Sequence, residues 1–295
     1  IVFEEITLKI LNRLYELNNS DNLCLSGGCA MNSVFNGKIL QNTKYKNIYI
    51  NHSPGDSGGS IGAGMIALNN IYKKTIKIDD NPYLGPSYTM NEVKLVLDSY
   101  DKKFEGLNIK IIEFNNNEEL IKSIAKNLSL NKVIGLFQGR MEFGSRALGN
   151  RSIICDPRNP AIKDLLNLKI KNREQFRPFA PSVLLASVDE WFQGSDDVPF
   201  MSKVYKIKKE KADLVPGVVH VDGTCRLQSV SKTYNSLYHN IIEKFKEITG
   251  IPMILNTSFN ENEPIVCKPE HAIDCFLRTK MDNLFIEKYL IYRAD

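Results

Sequence analysis

The sequence predicts an α/β fold, and two observations support this class. First, two consecutive segments run from a short apolar stretch through a glycine-rich loop into a segment of helical period, "NLCLSGG" before "AMNSVFNGKIL" and "KNIYI" before "NHSPGDSGGSIGAGMIALNNIY". Second, apolar runs of strand length alternate with helical segments through the rest of the chain. In such strand–loop–helix units, ligands bind at the carboxyl ends of the strands.

The predicted elements follow the hydrophobic period along the chain. Helices are predicted for the segment that ends at 72 and over residues 1–19, 30–40, 90–100, 117–130, 160–171, 235–250 and 268–279. Gly250 is the expected stop of one helix, and Pro269 is the expected start of another. Strands are predicted within 22–28, 46–50, 108–114, 132–137, 181–187 and 251–259. Residues 73–89 contain two prolines and no sustained period, which predicts a linker.

Length and composition limit the class of protein. A chain of 295 residues favours about two domains. No apolar stretch is long enough to span a bilayer, and the first helix lacks the basic start and cleavage site of a signal peptide. Because Ile1 is not a natural start, we expect a chain that begins inside a domain. The cysteines form no CxxC pair and the histidines no HxxH or HxxxH motif, so we expect reduced thiols, a cytoplasmic location and no complete local zinc site.

The positive charge is concentrated in one region. Residues 138–177 carry nine Lys or Arg against four Asp or Glu, whereas the net charge of the whole chain is only +4. A coat for nucleic acid usually spreads its basic residues further, and it interleaves aromatic side chains. The distribution therefore favours a focused anion site, and a nucleic-acid partner is not expected.

The motif "QGRMEFGSRALGNRS" lies at the start of this region, directly after the predicted strand "KVIGLF". Arg140, Arg146 and Arg151 are permanently charged, and each guanidinium offers a planar fork of donors. Three glycines keep the backbone between them free of side chains. This pattern suits an anion with several oxygens, such as a phosphate, although a solvated basic loop would also explain it.

A second cationic stretch, "NLKIKNREQFRPFAPS", ends the region. Its proline and phenylalanine residues make a stiff frame, which reduces the entropy lost when an anion binds. Lys169, Lys171, Arg173 and Arg177 are the cations that this frame could hold in place. A solvated basic face is the alternative.

The two glycine loops of the first segment offer weaker candidates. Gly27, Gly28 and Asn32 follow the first predicted strand, where a phosphate or ribose could approach the backbone. In "PGDSGGSIGAG", Asp56 is a candidate metal ligand or nucleotide contact, with Gly58 and Gly59 beside it. Tight packing and helix capping, with Asp56 or Ser57 as N-cap, remain alternatives.

Polar side chains also follow two later predicted turns and strands. Arg226 lies in "DGTCRLQSV", and Asn256 and Ser258 lie in "LNTSFN". Such groups can donate neutral and charged hydrogen bonds to phosphate or carbonyl oxygens, although a capping turn would use the same residue types. No Ser–His–Asp spacing indicates that Ser258 is an activated nucleophile.

Taken together, six stretches resemble the NodU-type O-carbamoyltransferases. They are "GGCAMN", "GDSGGSIGAG", "GLFQGRMEFGSRALGNRSI", "REQFRPFAPSVL", "DGTCRLQSV" and "LNTSFNENEPIV", in family order from about residue 20 to 290. The resemblance implies part of a Kae1-like domain of the actin/hexokinase class with its linker over residues 1–88, followed by a YrdC-like domain over 89–295. It also implies that the YrdC-like domain forms carbamoyl adenylate from carbamoyl phosphate and ATP with Mg²⁺. The Kae1-like domain would then transfer the carbamoyl group to a hydroxyl of a sugar-containing or other small-molecule acceptor.

The resemblance also assigns residues. The YrdC-like site would contain Arg146, Lys171, Arg177, Arg226, Asn256 and Ser258. Of these, Lys171, Arg177, Arg226 and Ser258 are the expected catalytic residues. Asp56 matches the family's metal-ligand aspartate, where iron or another divalent metal is expected. However, the family's paired metal histidines lie in a longer Kae1-like domain and have no counterpart here.

Alternative functions remain open at this stage. One is a non-catalytic RNA-binding module of YrdC-like fold, and another is a threonylcarbamoyl-adenylate synthase. The sequence does not identify the acceptor, and it leaves the oligomeric state open, with a homodimer as one candidate.

Overall fold

The strands in the described part of the chain form one large mixed sheet and two small ones. In the computed structural model, which describes residues 2–74, 79–194 and 196–294, the strands are β1 Asn22–Leu25, β2 Asn47–Ile50, β3 Ile109–Glu113, β4 Ile134–Phe137, β5 Arg151–Cys155, β6 Ala180–Leu184, β7 Val204–Lys206, β8 Thr224–Arg226, β9 Gln228–Val230, β10 Met253–Ser258, β11 Asn283–Ile286 and β12 Tyr289–Arg293. Within the described residues, eight of them form a sheet in the order β3-β12-β11-β4-β5-β10-β6-β9. The pairs β4–β11 and β6–β9 are parallel, and the other neighbours in this sheet are antiparallel.

Helices alternate with the strands along the chain. They are α1 Val2–Asn18, α2 Ser33–Asn42, α3 Gly58–Tyr72, α4 Met90–Ser99, α5 Asp101–Gly106, α6 Asn117–Ser129, α7 Ile162–Lys169, α8 Val188–Trp191, α9 Lys209–Ala212, α10 Ser236–Thr249 and α11 Pro269–Arg278. In α6, Leu120, Ile124 and Leu128 recur at helical spacing and are fully buried in the main core. The alternation of helices and strands confirms the predicted α/β class.

Several local predictions are also confirmed. Gly250 ends α10 with a positive φ of 77°, which a glycine adopts at no steric cost. Pro269 occupies the first turn of α11. Of the twelve described strands, the prediction missed β5, β7, β8, β9, β11 and β12. Arg151 and Ser152 made β5 read as part of a loop. Of the predicted linker, residues 75–78 lie outside the described residues, and 79–89 contain no helix or strand.

Helices α1 and α2 and strands β1 and β2 form a small α/β unit with a core of its own. Strands β1 and β2 pair in parallel, and Leu11, Leu23, Phe35, Ile39 and Tyr45 form a second core beside them. Among the described helices, none is both long and apolar enough to cross a membrane.

This unit contacts the rest of the chain through α2 and the loop after β2. Asn36 donates a hydrogen bond of 2.9 Å from Nδ2 to the carbonyl of Ser202. His52 is buried, and its Nδ1 lies 2.7 Å from the carbonyl oxygen of Phe143. The loop after β2 therefore lies against the arginine-rich motif.

Candidate functional site

A cavity of about 310 Å³ lies where the arginine-rich motif, the segment after α7, β8 and the end of β10 meet. It is lined by Ser145, Arg146, Ala147, Arg173, Arg177, Pro178, Phe179, Met201, Arg226, Asn256, Thr257 and Ser258. Four of these side chains are arginines, and none is a carboxylate. The cavity therefore favours a ligand with several negative charges.

The motif loop is held in place by a buried carboxylate. Oε1 of Glu142 accepts hydrogen bonds from the backbone amides of Leu148 at 2.7 Å, Asn150 at 2.8 Å and Arg151 at 3.3 Å. Gly149 has a φ of 109°, and a Cβ there would lie 2.4 Å from the ring of Tyr238. Glycine is thus required at this turn, and Glu142 fixes the loop that carries Arg146.

The three arginines of the motif have different surroundings. Arg151 is completely buried and lies outside the cavity. Its guanidinium stacks 3.5 Å over the ring of Phe137 and donates to the carbonyl oxygens of Gln138, Gly139, Asn150 and Pro86. Arg140 is exposed and donates at 2.7 Å to the carbonyl of Leu84, also outside the cavity. Only Arg146 of the three lines it.

The guanidinium groups at the cavity repel one another, so each makes it less favourable for its neighbours to be charged. Burial, together with the positive charges of Arg146 and Arg173, lowers the pKa of Arg226 to about 9. Burial also lowers the pKa of Arg146 and of Arg173. Within the described part of the chain these three arginines form no ion pair, whereas Arg177 pairs with Glu174 at 2.8 Å. An anion would supply the missing negative charge.

Two polar atoms at the cavity also lack partners. Nε of Arg226 and Oδ1 of Asn256 are buried and without a hydrogen-bond partner among the described residues. Asn256 itself is only 1% exposed. Because buried polar groups are usually satisfied, these two atoms mark places where a ligand would accept and donate hydrogen bonds.

Lys171 lies behind the cavity wall instead of on it. Its Nζ donates to the carbonyl oxygens of Ser258 at 2.6 Å and Asn260 at 2.7 Å, and to Oδ1 of Asn260 at 2.6 Å. Burial lowers the pKa of Lys171 to about 7, and the charge of Arg173 acts in the same direction. These contacts show that Lys171 holds the turn after β10, which places Ser258 at the cavity.

Replacing Lys171 with methionine is expected to lower the free energy of unfolding by about 2 kcal/mol, because two partly buried carbonyl oxygens lose their donor. Since the turn then loosens, phosphate affinity should fall as well. Urea unfolding and phosphate titration measure the two effects. The matched control is Lys169→Met, which changes an exposed lysine two residues earlier. Equal unfolding free energies and equal phosphate affinities of the two variants would contradict the role of Lys171 in holding the turn after β10.

The candidates of the first segment lie outside the cavity lining. Oδ1 of Asn32 caps α2 by accepting from the amide of Phe35 at 3.1 Å. Gly27 has a φ of 93°, and neither Gly28 nor Gly59 meets a neighbour within 4 Å of a Cβ position. A Cβ on Gly58 would lie 2.0 Å from the carbonyl oxygen of Ser53, so close packing explains this glycine.

Asp56 does not belong to a metal centre in the part of the chain that the structure describes. It is exposed, and no group of three or more His, Cys, Asp or Glu side chains suited to a metal ion occurs there. At position 57, the serine is the N-cap residue of α3 but makes no capping hydrogen bond. The residues present thus do not fit the iron site that the resemblance implies.

Sequence reasoning did not identify the polar residues behind Asn256. Ser182, Gln228 and Tyr238 are buried and hydrogen-bonded to one another or to Asn256. The available signal was the placement of polar residues inside the short apolar strands "APSVL" and "QSV". Arg173 likewise lines the cavity, although the resemblance assigns only its neighbours Lys171 and Arg177 to the site.

Comparison with known families gives two matches. The carbamoyltransferase C-terminus model matches residues 125–293, more than half of the chain, and the carbamoyltransferase N-terminus model matches residues 1–65.

Curated relatives extend well beyond this chain. An uncharacterized protein of Synechocystis is 38% identical over all of the chain and 51% of its own length. The nodulation protein NolNO of Sinorhizobium fredii is 36% identical over 98% of the chain and 42% of its own length, and the nodulation protein NolO of Bradyrhizobium diazoefficiens is 35% identical over 98% and 52%. The chain thus spans about half the length of the curated relatives it matches.

Among solved structures, full-length HypF in a phosphate- and nucleotide-bound form gives a TM-score of 0.41 at 18% identity. The match covers 63% of this chain and 22% of that one.

Proposed function

We propose that this chain, which belongs to the carbamoyltransferase family, binds carbamoyl phosphate in the four-arginine cavity and forms carbamoyl adenylate with ATP. The observation that carries the proposal is a cavity lined by four guanidinium groups and no carboxylate. Three of these guanidinium groups form no ion pair within the described residues. Two substrates rich in phosphate repel each other, and dense fixed cations reduce that repulsion.

The balance of atoms defines the steps that the site has to support. Water cleaves carbamoyl phosphate to carbamate and inorganic phosphate. An oxygen of carbamate then attacks the α-phosphorus of ATP, and the bond from that phosphorus to the bridging oxygen of pyrophosphate breaks. Neither step needs a covalent bond to the protein, so positioning and charge neutralisation are the main contributions of the chain.

Individual residues have distinct roles in this proposal. Arg146, Arg173, Arg177 and Arg226 hold the phosphate oxygens, and Arg226 Nε gains the partner it lacks. Asn256 and Ser258 orient the carbamoyl group. Because no carboxylate lines the cavity, the Mg²⁺ that accompanies ATP would be held there mainly by the phosphates.

The division of labour along the chain is part of the proposal. Residues 89–295 correspond to a YrdC-like, adenylate-forming domain, and residues 1–88 correspond to part of a Kae1-like domain with its linker. Transfer of the carbamoyl group to a sugar or other hydroxyl acceptor would use the Kae1-like domain. Because the residues around Asp56 do not fit the iron site, no step of the transfer is assigned to residues of this chain.

A pyrophosphate-release assay tests the proposal. With ATP and Mg²⁺, release is expected only when carbamoyl phosphate is added. Release that requires threonine and bicarbonate instead would establish the threonylcarbamoyl-adenylate alternative and overturn ours. Salt-dependent RNA binding that is unaffected by carbamoyl phosphate, together with no release, would favour the RNA-binding alternative.

A further inference from the structure

We propose that Ser182, Gln228 and Tyr238 are positioning residues that fix the side-chain amide of Asn256, so that the cavity selects a ligand with an N–H donor on its carbonyl carbon. This inference rests on the proposed function and names the feature of the substrate that the site recognises. The carrying observation is the unpartnered Oδ1 of Asn256, in a side chain that is otherwise fully hydrogen-bonded.

Two backbone carbonyls settle the orientation of the amides, since a carbonyl oxygen can only accept. The carbonyl of Ala147 lies 3.1 Å from Nδ2 of Asn256, and the carbonyl of Leu148 lies 3.0 Å from Nε2 of Gln228. Oε1 of Gln228 must therefore face Asn256, and it accepts from Nδ2 at 3.1 Å.

The hydroxyl of Ser182 completes the network. It donates to Oε1 of Gln228 at 2.5 Å and accepts from the hydroxyl of Tyr238 at 2.9 Å. It also lies 3.0 Å from Nδ2 of Asn256, whose two hydrogens are shared among this hydroxyl, Oε1 of Gln228 and the carbonyl of Ala147. Because Ser182 is committed to Gln228 as a donor, it cannot donate to Asn256. Turning the Asn256 amide over would place its oxygen against three acceptors, which opposes that orientation.

The orientation has a consequence for the ligand. Oδ1 of Asn256 is left as an acceptor beside the arginines that would hold a phosphate. The amino group of carbamoyl phosphate can donate to this atom, whereas the methyl group of acetyl phosphate has almost the same shape and cannot. A site built to hydrogen-bond one group discriminates strongly against an analogue that leaves the buried partner unpaired.

Titration with three ligands in the absence of ATP tests this inference. Carbamoyl phosphate is expected to bind the wild-type chain at least about tenfold more tightly than acetyl phosphate, as the unmade hydrogen bond predicts. Inorganic phosphate serves as the reference, because it lacks the carbonyl group altogether. In Gln228→Met, Ser182 is free to donate to Asn256, only the carbonyl of Ala147 still opposes the turned-over amide, and the preference should fall.

Further variants separate positioning from general support of the fold. Ser182→Ala should also reduce the preference, and Ser182→Thr, which keeps the hydroxyl, should retain it. Gln138→Met removes another buried glutamine, whose side-chain amide donates to the carbonyl of Gly149, and should leave the preference unchanged.

The possible failures are distinguishable. If neither carbamoyl phosphate nor inorganic phosphate binds, the proposed function itself fails. If phosphate binds but the wild-type chain does not prefer carbamoyl over acetyl phosphate, or Gln228→Met keeps the full preference, the positioning role is wrong and the proposed function stands.

Discussion

Replacing Arg226 with methionine is expected to reduce carbamoyl-phosphate-dependent pyrophosphate release by about tenfold to a hundredfold, without loss of stability. A hydrogen bond to a charged group contributes about 1.5–3 kcal/mol, and about 1.4 kcal/mol corresponds to a factor of ten. Arg226 is buried beside two other guanidinium groups, and its pKa is lowered to about 9. Removing a buried cation that has no ion pair in the described residues should leave the free energy of unfolding unchanged or raised.

The pairing of lower activity with undiminished stability identifies a binding residue. Arg140→Met is the matched control, because Arg140 belongs to the arginine-rich motif but lies outside the cavity. Its activity should stay close to that of the wild type. Pyrophosphate release at normal rates from Arg226→Met, with urea unfolding showing an intact fold, would remove Arg226 from the site.

The sequence could predict which residue types gather at the cavity, but it could not rank residues of the same type. Arg140, Arg146 and Arg151 have the same chemistry and similar spacing. Only the pairing of β4 with β5, which sets Arg151 opposite Phe137, places this guanidinium among backbone carbonyls instead of at the cavity. Such a difference depends on strand pairing, which single-residue patterns do not encode.

Strand order also explains why distant residues meet. Ser258 and Asn256 end β10, which lies between β5 and β6 in the sheet. The motif loop leads into β5, so it lies next to the end of β10, and Arg226 reaches the same cavity from β8. The sequence predicted β10, and it predicted Arg226, Asn256 and Ser258 as binding residues, which all line the cavity. It did not predict the sheet order that brings them together.

The two glycine loops near the start show that a pattern suited to a ligand can also arise from local packing. Both glycine segments near the start looked suited to a ligand, yet the close approach of Ser53 to Gly58 accounts for one of these glycines by packing. The helix cap at Asn32 accounts for its side chain without a ligand. Close packing and ligand binding both require a missing side chain, so a glycine alone cannot distinguish them.

The largest stability effect is expected at Glu142, a carboxylate in the middle of the arginine-rich motif. Glu142→Ala should lower the free energy of unfolding by about 3–5 kcal/mol, because three buried backbone amides lose their acceptor. Arg151, whose buried charge Glu142 partly compensates, would lose that compensation as well.

Glu142→Gln provides the matched control, since all three amides bind Oε1 and glutamine keeps an oxygen at that place. The loss should then be about 1 kcal/mol, which reflects the weaker hydrogen bonds to a neutral acceptor. Urea unfolding compares the two variants, and phosphate titration reports whether the loop still carries Arg146 to the cavity. Equal losses for alanine and glutamine would mean that the negative charge, and not the acceptor oxygen, holds the loop. A loss below about 1 kcal/mol for alanine would show that the loop keeps its shape without Glu142, and that the arginines depend on other contacts for their position.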